Sequence, residues 1–581
     1  MFGVRSNTIP ERTSNCLFLL SLRGFCETSP IKSKCAKTGL IRKRQSLLFR
    51  PVFLLFSIFV QSGVEFSLCA IPIGGSFLST PCTSGGSQVE WKRRERGREM
   101  DFLYEALRKN RDSDMCPMHM PGHKRNTGLF QMDNPYGLDI TEIEGFDNLH
   151  DAQGILREAM ERAAQLWGAK QTWFLINGSS CGVLAAVAAC TRWGDEVLVA
   201  RNSHKSLYNA LYQNNLQAHY LCPEQIPGFQ AAGGITAQMV KHALQKHPNV
   251  KLIAITSPTY EGVVSDVKAI AYAAHARGIP LLVDEAHGAH LGLADGFPGG
   301  AVQAGADLVV QSVHKTLPSL TQTAVLHLNG SLVSPVSVER QLSLYESSSP
   351  SYVLMASIDR CVSFLRKQGK QAFKLYTKKL ARFEEETRSL QNLCLLGRGK
   401  DVYGRPGKYG IYALDPSKIV MGTFSTDLTG PALMQAMRSR EHVELEMAAR
   451  SYAIAMTSLC DSEENFRRLA KALLRLDAQA GRAKEFQTEK ISVFPLPERV
   501  LSLREAEESE GIVLPLHQAV GSISRETVIA YPPGIPLIVP GERVDSSFPE
   551  HIRVLRKAGV ALSNTRRADI QTIDTVRKSG I

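Results

Sequence analysis

Five short apolar runs constrain this chain more than any other feature: 171–177 (QTWFLIN), 196–200 (EVLVA), 251–257 (KLIAITS), 279–284 (IPLLVD) and 306–311 (ADLVVQ). Nearly continuous runs of apolar, largely β-branched residues read as strands buried on both faces. Helical spacing at 155–166, and helical segments at 236–246 and 266–277, fall between them or beside them. Strand alternating with helix predicts an α/β domain around a large, mostly parallel sheet. Ligands of such sheets lie beyond the carboxyl ends of the strands. Ser179, His204, Asp284 and Lys315 all stand at predicted carboxyl ends, so they are expected to share one site.

Each of these positions has a chemical reading and a plainer one. Lys315 follows a buried strand through Ser312, Val313 and His314. Lysine is seldom buried unless paired or chemically used, and a strand-end lysine of this kind can form a Schiff base with a carbonyl. Taken alone it reads equally well as surface charge. Gly178-Ser179-Ser180 joins a strand to a small-residue helix, a geometry that presents free N–H groups and a helix dipole to an anion. Ordinary N-capping by either serine is compatible with that reading. His204 could stack on a flat ring or cap a turn. Asp284 could keep a pyridinium nitrogen protonated. Met118–Arg125 (MHMPGHKR) is a Pro-Gly turn carrying two histidines and two cations, either a solvated basic loop or a substrate-channel loop.

Three short motifs point elsewhere and fail. Asp284-Glu285-Ala286-His287 spells a helicase box, but no stretch of the chain matches the phosphate loop GxxxxGK[ST] that such an ATPase needs. Ser312-Val313-His314-Lys315 matches the SxxK of penicillin-binding enzymes, yet the serine here closes a strand and the companion SDN element is absent. His287 and His290 could ligate a metal, but an aspartate some thirty residues before a strand-end lysine is better used on a cofactor ring, and no metal is expected.

The net charge of +12 first suggests nucleic acid. Part of the basic excess sits in IRKRQ (41–45) and WKRRERGR (91–98), so the body is not read as a nucleic-acid binder. The twelve cysteines form no CxxC pair, and five precede residue 100, which indicates neither zinc nor a disulfide framework. Residues 1–98 are rich in Ser, Arg, Lys and Cys and poor in acids, as in an organellar (plastid) transit peptide; a mispredicted start upstream of Met100 is the competing explanation. Pro51–Val60 is too short to span a bilayer, and no membrane association is expected. The large domain is expected over 99–360. A smaller α+β domain is expected over 361–581, with a long charged helix at Lys370–Asn392 and a rigid Tyr531-Pro532-Pro533-Gly534 turn.

Taken in order, MHMPGHKRN, DITEIEGFDNLH, INGSSCG, ARNSHKSLYNAL, SPTYEGVVSD, LLVDEAHGAHLG, GADLVVQSVHKTLPSLTQTAVLH, SSSPSY and YPPGIPLIVPGE give residues 100–545 a resemblance to the Orn/Lys/Arg decarboxylase family, in its shorter bacterial form without a receiver-like domain. The resemblance implies the aspartate-aminotransferase fold (fold type I), pyridoxal 5'-phosphate as cofactor, and decarboxylation of arginine, lysine or ornithine. It implies that Lys315 carries the cofactor, Asp284 pairs with the pyridine nitrogen, His204 stacks on the ring and His287 lies near the phenolic oxygen. Ser179, Ser180, Ser312 and His314 would hold or flank the phosphate. Ser347 would reach the phosphate in a neighbouring subunit, implying a homodimer or higher oligomer with shared sites. Glu446, with Glu444 as the alternative, would meet the basic side chain of the substrate. Other classes consistent with the same residues are an aminotransferase or aldolase-type lyase of this fold, and a noncatalytic homologue.

Overall fold

The computed structural model describes residues 103–577 apart from 130, 131, 133, 400, 402, 483–496, 531–534 and 566–570. The leader at 1–98 and the Tyr531–Gly534 turn lie outside the described residues. Seven strands build the large sheet: β1 (Gln171–Leu175), β2 (Glu196–Ala200), β3 (Gln217–Leu221), β4 (Leu252–Thr256), β5 (Leu281–Asp284), β6 (Leu308–Gln311) and β7 (Ala324–Leu328). Their order across the sheet is β1-β7-β6-β5-β4-β2-β3. β7 pairs antiparallel with both neighbours, and the other pairings are parallel. Six strands therefore point their carboxyl ends the same way.

Helices cover both faces, which is why the central strands are apolar at nearly every position. Val197, Val199, Leu252, Ala254, Leu282, Leu308 and Val310 enter one core, with α1 (Ile155–Trp167), α2 (Gly178–Cys190) and α3 (Lys205–Gln213). Leu198, Ala200, Ile253, Ile255, Leu281, Val283 and Val309 enter the other, under α4 (Ala237–Lys246) and α5 (Val267–His275). Neighbouring residues part to opposite cores because the strand period is two. Each fully buried Leu, Ile or Val contributes roughly 1.5–3 kcal/mol.

Two strands were not legible beforehand. β3 (QAHYL) is the edge strand, and polar residues interrupt its apolar ones. β7 returns from Lys315 through the Leu317–Thr323 turn and pairs Val325 with Gln311.

Beyond the large sheet, α6 (Pro335–Tyr345), α7 (Tyr352–Phe364) and α8 (Lys370–Glu386) lead into a second sheet. The predicted charged helix thus ends at Glu386, six residues before Asn392. That sheet comprises β8 (Cys394–Leu395), β9 (Lys418–Gly422), β10 (Met447–Ala449) and β11 (Tyr452–Met456), in the order β8-β9-β11-β10. Cys116–Met118 pairs in parallel with Val443–Leu445, so the chain's early Pro-Gly turn is delivered to this part of the fold. No helix among the described residues is long and apolar enough to cross a membrane.

A polar line crosses the core of the large sheet. Thr172 Oγ1 is 2.8 Å from His327 Nδ1, and His327 Nε2 is 3.1 Å from Gln311 Oε1. Gln311 Nε2 donates to Glu285 Oε2 at 2.7 Å, and Ala301 N–H donates to the other Glu285 oxygen at 2.8 Å. Burial pushes His327 down to about 3 and Glu285 up to about 8. Burial therefore favours the neutral form of both groups. Below pH 6.5 the unfolded chain protonates at position 327 and the folded one does not, so the contribution of His327 to stability declines as pH falls toward 3, at up to ~1.4 kcal/mol per pH unit. The substitution His327→Gln removes this contribution; urea titrations at pH 6.5 and pH 5 are expected to show a shallower acid loss in the variant.

Candidate active site

The carboxyl edge of the large sheet gathers the residues the strand ends suggested. β6 ends at Gln311, and Val313–Thr316 forms a single helical turn that carries Lys315. Lys315 Nζ lies 3.0 Å from His287 Nε2. His287 comes from the loop after β5, pinned from behind by Trp167, whose indole N–H donates to the Ala289 carbonyl at 2.9 Å. Asp284 closes β5, in register with Val310 of β6 and Thr256 of β4, and its Oδ1 accepts the Ala286 N–H at 3.1 Å.

Asp284 and Lys315 act on each other as opposite charges in a desolvated site. Burial raises the Asp284 carboxyl and Lys315 opposes the rise. Burial lowers the Lys315 ammonium, with Asp284 and Glu446 pulling back. The imidazoles stay neutral: burial, reinforced by Lys315, takes His204 down to about 4 and His287 well below its ordinary value. Burial brings His314 to about 4 as well.

The serines fall on two elements. Ser179 and Ser180 occupy the first turn of α2, whose N-cap is Asn177 with no side-chain capping bond. Capping by either serine is therefore not what the structure uses. Asn177 turns its amide to the Tyr345 carbonyl instead, leaving the first-turn N–H groups without intrahelical partners. Ser312 Oγ donates to Ser179 Oγ at 2.9 Å, joining the lysine turn to that helix end. Ser180 is exposed. His204 caps α3, accepting the Ser206 N–H on Nδ1. His314 directs Nδ1 at the Thr323 carbonyl, 2.8 Å away, which places that ring's proton on Nδ1. Ser347 stands apart in this chain: it is exposed and donates to the Ser349 carbonyl.

The structure adds groups that spacing did not reveal. Glu446 accepts the Tyr260 O–H at 2.6 Å and the Met120 N–H at 2.8 Å. Glu444 pairs instead with Arg438 at 3.0 Å. Lys418, fully buried, lies 3.4 Å from Asp415 and donates to the His287 carbonyl at 3.3 Å. His290 also engages Asp415, at 3.0 Å, so it ties the β5 loop to the second sheet. Burial would raise Asp415, but His290 and Lys418 outweigh it and hold the carboxyl well below its usual range. The only signal for Lys418 was a lysine opening an otherwise apolar strand (KIVMG).

The MHMPGHKR turn closes over these groups. Gly122 N–H donates to the His314 carbonyl at 2.7 Å, and buried Lys124 donates to the carbonyls of His119 and Met456, both at 2.6 Å. This is a packed loop rather than a solvated basic one.

A lysine facing a strand-end carboxylate, beside an uncapped helix N-terminus on a mostly parallel sheet, is what fold type I pyridoxal-phosphate enzymes present to their cofactor. The residues suit that group. The buried Nδ1 of His287 has no hydrogen-bond partner among the described residues, and the α2 terminus with Ser179 and Ser312 is built for a phosphate.

Comparison with known proteins narrows the class. The family model described as "Orn/Lys/Arg decarboxylase, major domain" matches 102–398, and that family's C-terminal domain matches 484–562. An arginine decarboxylase of Bacillus subtilis (strain 168) is 31% identical over 483 residues, covering 82% of this chain and 98% of the relative. One from Bacillus anthracis is 32% identical over 486 residues, covering 82% and 97%. The solved structure of the E. coli constitutive lysine decarboxylase shares the fold, with a TM-score of 0.64, 19% identity and 81% of each chain covered. The chain belongs to the Orn/Lys/Arg decarboxylase family. It is a pyridoxal-phosphate-dependent carboxy-lyase of a basic amino acid, which displaces the aminotransferase, aldolase and noncatalytic alternatives.

Gly122 offers a direct check on the loop. A Cβ there would stand 2.7 Å from both Leu317 N and Thr316 C, inside van der Waals contact with the backbone that follows Lys315. Gly122→Ala is expected to lower stability by about 1–3 kcal/mol and to depress kcat, as read from urea titration and steady-state CO2 release.

Proposed function

We propose that the substrate is arginine, decarboxylated to agmatine. The observation that carries this is the similarity to two arginine decarboxylases over nearly their whole lengths, and the placement of Glu446 beside Lys315 supports it. A carboxylate in this site suits a guanidinium, which binds carboxylates through a planar fork.

The roles of the individual residues follow from their positions. Lys315 would carry the cofactor, with His287 Nε2 orienting its amine. Asp284, desolvated at the end of β5, would hold a proton on the pyridine nitrogen. His204, neutral at physiological pH, would lie against the ring, since an uncharged imidazole can approach a cationic heterocycle without repulsion. The N-terminus of α2, Ser179, Ser180 and Ser312 would bind the phosphate, with His314 flanking it through the Nε2 that its Thr323 bond leaves open. When bound, pyridoxal phosphate supplies an electron sink for the pair released as the Cα–carboxylate bond breaks. The MHMPGHKR turn and the second sheet keep water from the reacting carbon. The Lys315–His287 contact offers a route for the proton that replaces the carboxylate on Cα.

A second copy of the chain would complete the phosphate site through its Ser347, making the enzyme a homodimer at least. The segment 1–98 would serve as an organellar transit peptide, and the amine product would feed polyamine formation.

Full-length protein supplied with arginine, lysine and ornithine separately, with CO2 and amine measured, is expected to show the highest kcat/KM for arginine; a preference for lysine or ornithine would refute the assignment. Lys315→Ala is expected to abolish both turnover and the visible absorbance of lysine-bound cofactor. Asp284→Ala should fold yet lose several decades of rate, each decade being about 1.4 kcal/mol.

A further inference from the structure

At the opposite edge of the large sheet, away from the strand carboxyl ends, lies a group of side chains the decarboxylase chemistry does not use. Glu196 opens β2. His219 lies on the edge strand β3, paired with Leu198. Residues two apart on a strand share a face, so Glu196 and Leu198 point the same way, and His219 joins them on that side. Leu198 packs under α4 in the second core, and α4 ends with His247 as its C-cap residue. The helix thus brings a second imidazole down onto the first. The two rings stack with centroids 3.5 Å apart and planes 16° from parallel. His219 Nε2 is 2.9 Å from Glu196 Oε2, and one donor atom from each of the three residues lies within 4.8 Å of the other two.

We propose that Glu196, His219 and His247 form a binding site for a borderline divalent transition-metal ion, of which Zn2+ is the representative. Two imidazoles and one carboxylate are a common three-ligand set for zinc, leaving a fourth position open. Imidazole donors disfavour Mg2+ and Ca2+, which take oxygen. The end of α4 adds to the attraction, because a helix C-terminus carries partial negative charge. Access is available: the side chains of His219 and Glu196 are 19% and 31% exposed, and His219 and His247 line a cavity of about 410 Å³. Lys246 and Arg499 line that cavity too, so an anion or hydroxide suits the open position better than a neutral ligand.

Binding requires the stack to open, because two nearly parallel rings cannot both aim an in-plane nitrogen lone pair at one ion. Zinc sits about 2.0–2.2 Å from N and O donors, so tetrahedral donors stand roughly 3.3 Å apart. The Glu196–His219 contact must open by a few tenths of an ångström, and the partly buried His247 must turn out of the stack until its ring plane contains the ion. His219 would move its ring proton from Nε2 to Nδ1, so a neutral imidazole binds without net proton release from that residue. The ion would join β2, the edge strand β3 and the end of α4, clamping the sheet at its one parallel edge.

The test uses the full chain, free of any polyhistidine tag and saturated with pyridoxal phosphate. After chelator treatment it is dialysed against Zn2+ in the presence of excess Mg2+, and metal content is measured. Wild type is expected to retain about one zinc per chain more than the His219→Asn/His247→Gln double variant, and Glu196→Gln should weaken binding at least tenfold. With Co2+ in place of Zn2+, wild type should show d–d bands in the visible range, apart from the cofactor's absorbance, and the double variant should lack them. Arginine decarboxylation should be unchanged in the variants, which confirms that they fold. Equal metal content in wild type and double variant, or cobalt bands that survive the substitutions, would overturn the proposal.

Discussion

Lys315 stands where a charge is costly, and much of the architecture answers to that fact. Burial draws its ammonium below the ordinary range while Asp284 and Glu446 act to keep it charged. A lysine that titrates more easily than usual is one that can act as a nucleophile. The carboxylates that moderate the shift come from unlike parts of the chain. Asp284 ends a strand adjacent to the lysine's own, whereas Glu446 lies between the short strand Val443–Leu445 and β10. The amine therefore acquires its environment only when the large sheet and the smaller one are packed together.

That packing is itself polar and buried. Asp415 receives His290 from the loop after β5 and Lys418 from the start of β9, and Lys418 continues to the His287 carbonyl. Lys124 of the early turn reaches the Met456 carbonyl at the end of β11 and stands 4.0 Å from Asp461. Breaking one partner of such a group leaves an uncompensated buried charge, which is strongly destabilising. Of these contacts, the Lys418 bond to the His287 carbonyl bears directly on the position of that imidazole. His287 presents Nε2 to the lysine, and its Nδ1 has no hydrogen-bond partner among the described residues.

The limits of reading the chain one residue at a time show in particular places. β1, β2, β4, β5 and β6 were visible because strands buried on both faces must be apolar almost throughout. β3 was not, because an edge strand tolerates His219 and Gln217; the same tolerance makes room for the His-Glu cluster there. β7 was hidden because a short apolar run after a turn carries no direction, and only pairing with β6 shows that the chain reverses. The basic turn at Met118–Arg125 was ambiguous because Lys124 is held in part by the Met456 carbonyl, more than three hundred residues away. Tyr260 gave no usable signal, since it has meaning only through Glu446, a partner distant in sequence.

By itself, then, the sequence determined the class of fold and the placement of Lys315, Asp284, His204 and the Gly-Ser-Ser turn at one edge of the sheet, because periodicity and strand ends are local properties. The tertiary structure decided that Glu446 acts on the lysine while Glu444 pairs with Arg438, that Asn177 and not a serine precedes α2, that His290 serves Asp415, and that His219 and His247 meet over Glu196. Each of these depends on which side chain a distant element brings within a few ångströms, and neither spacing nor composition encodes that distance.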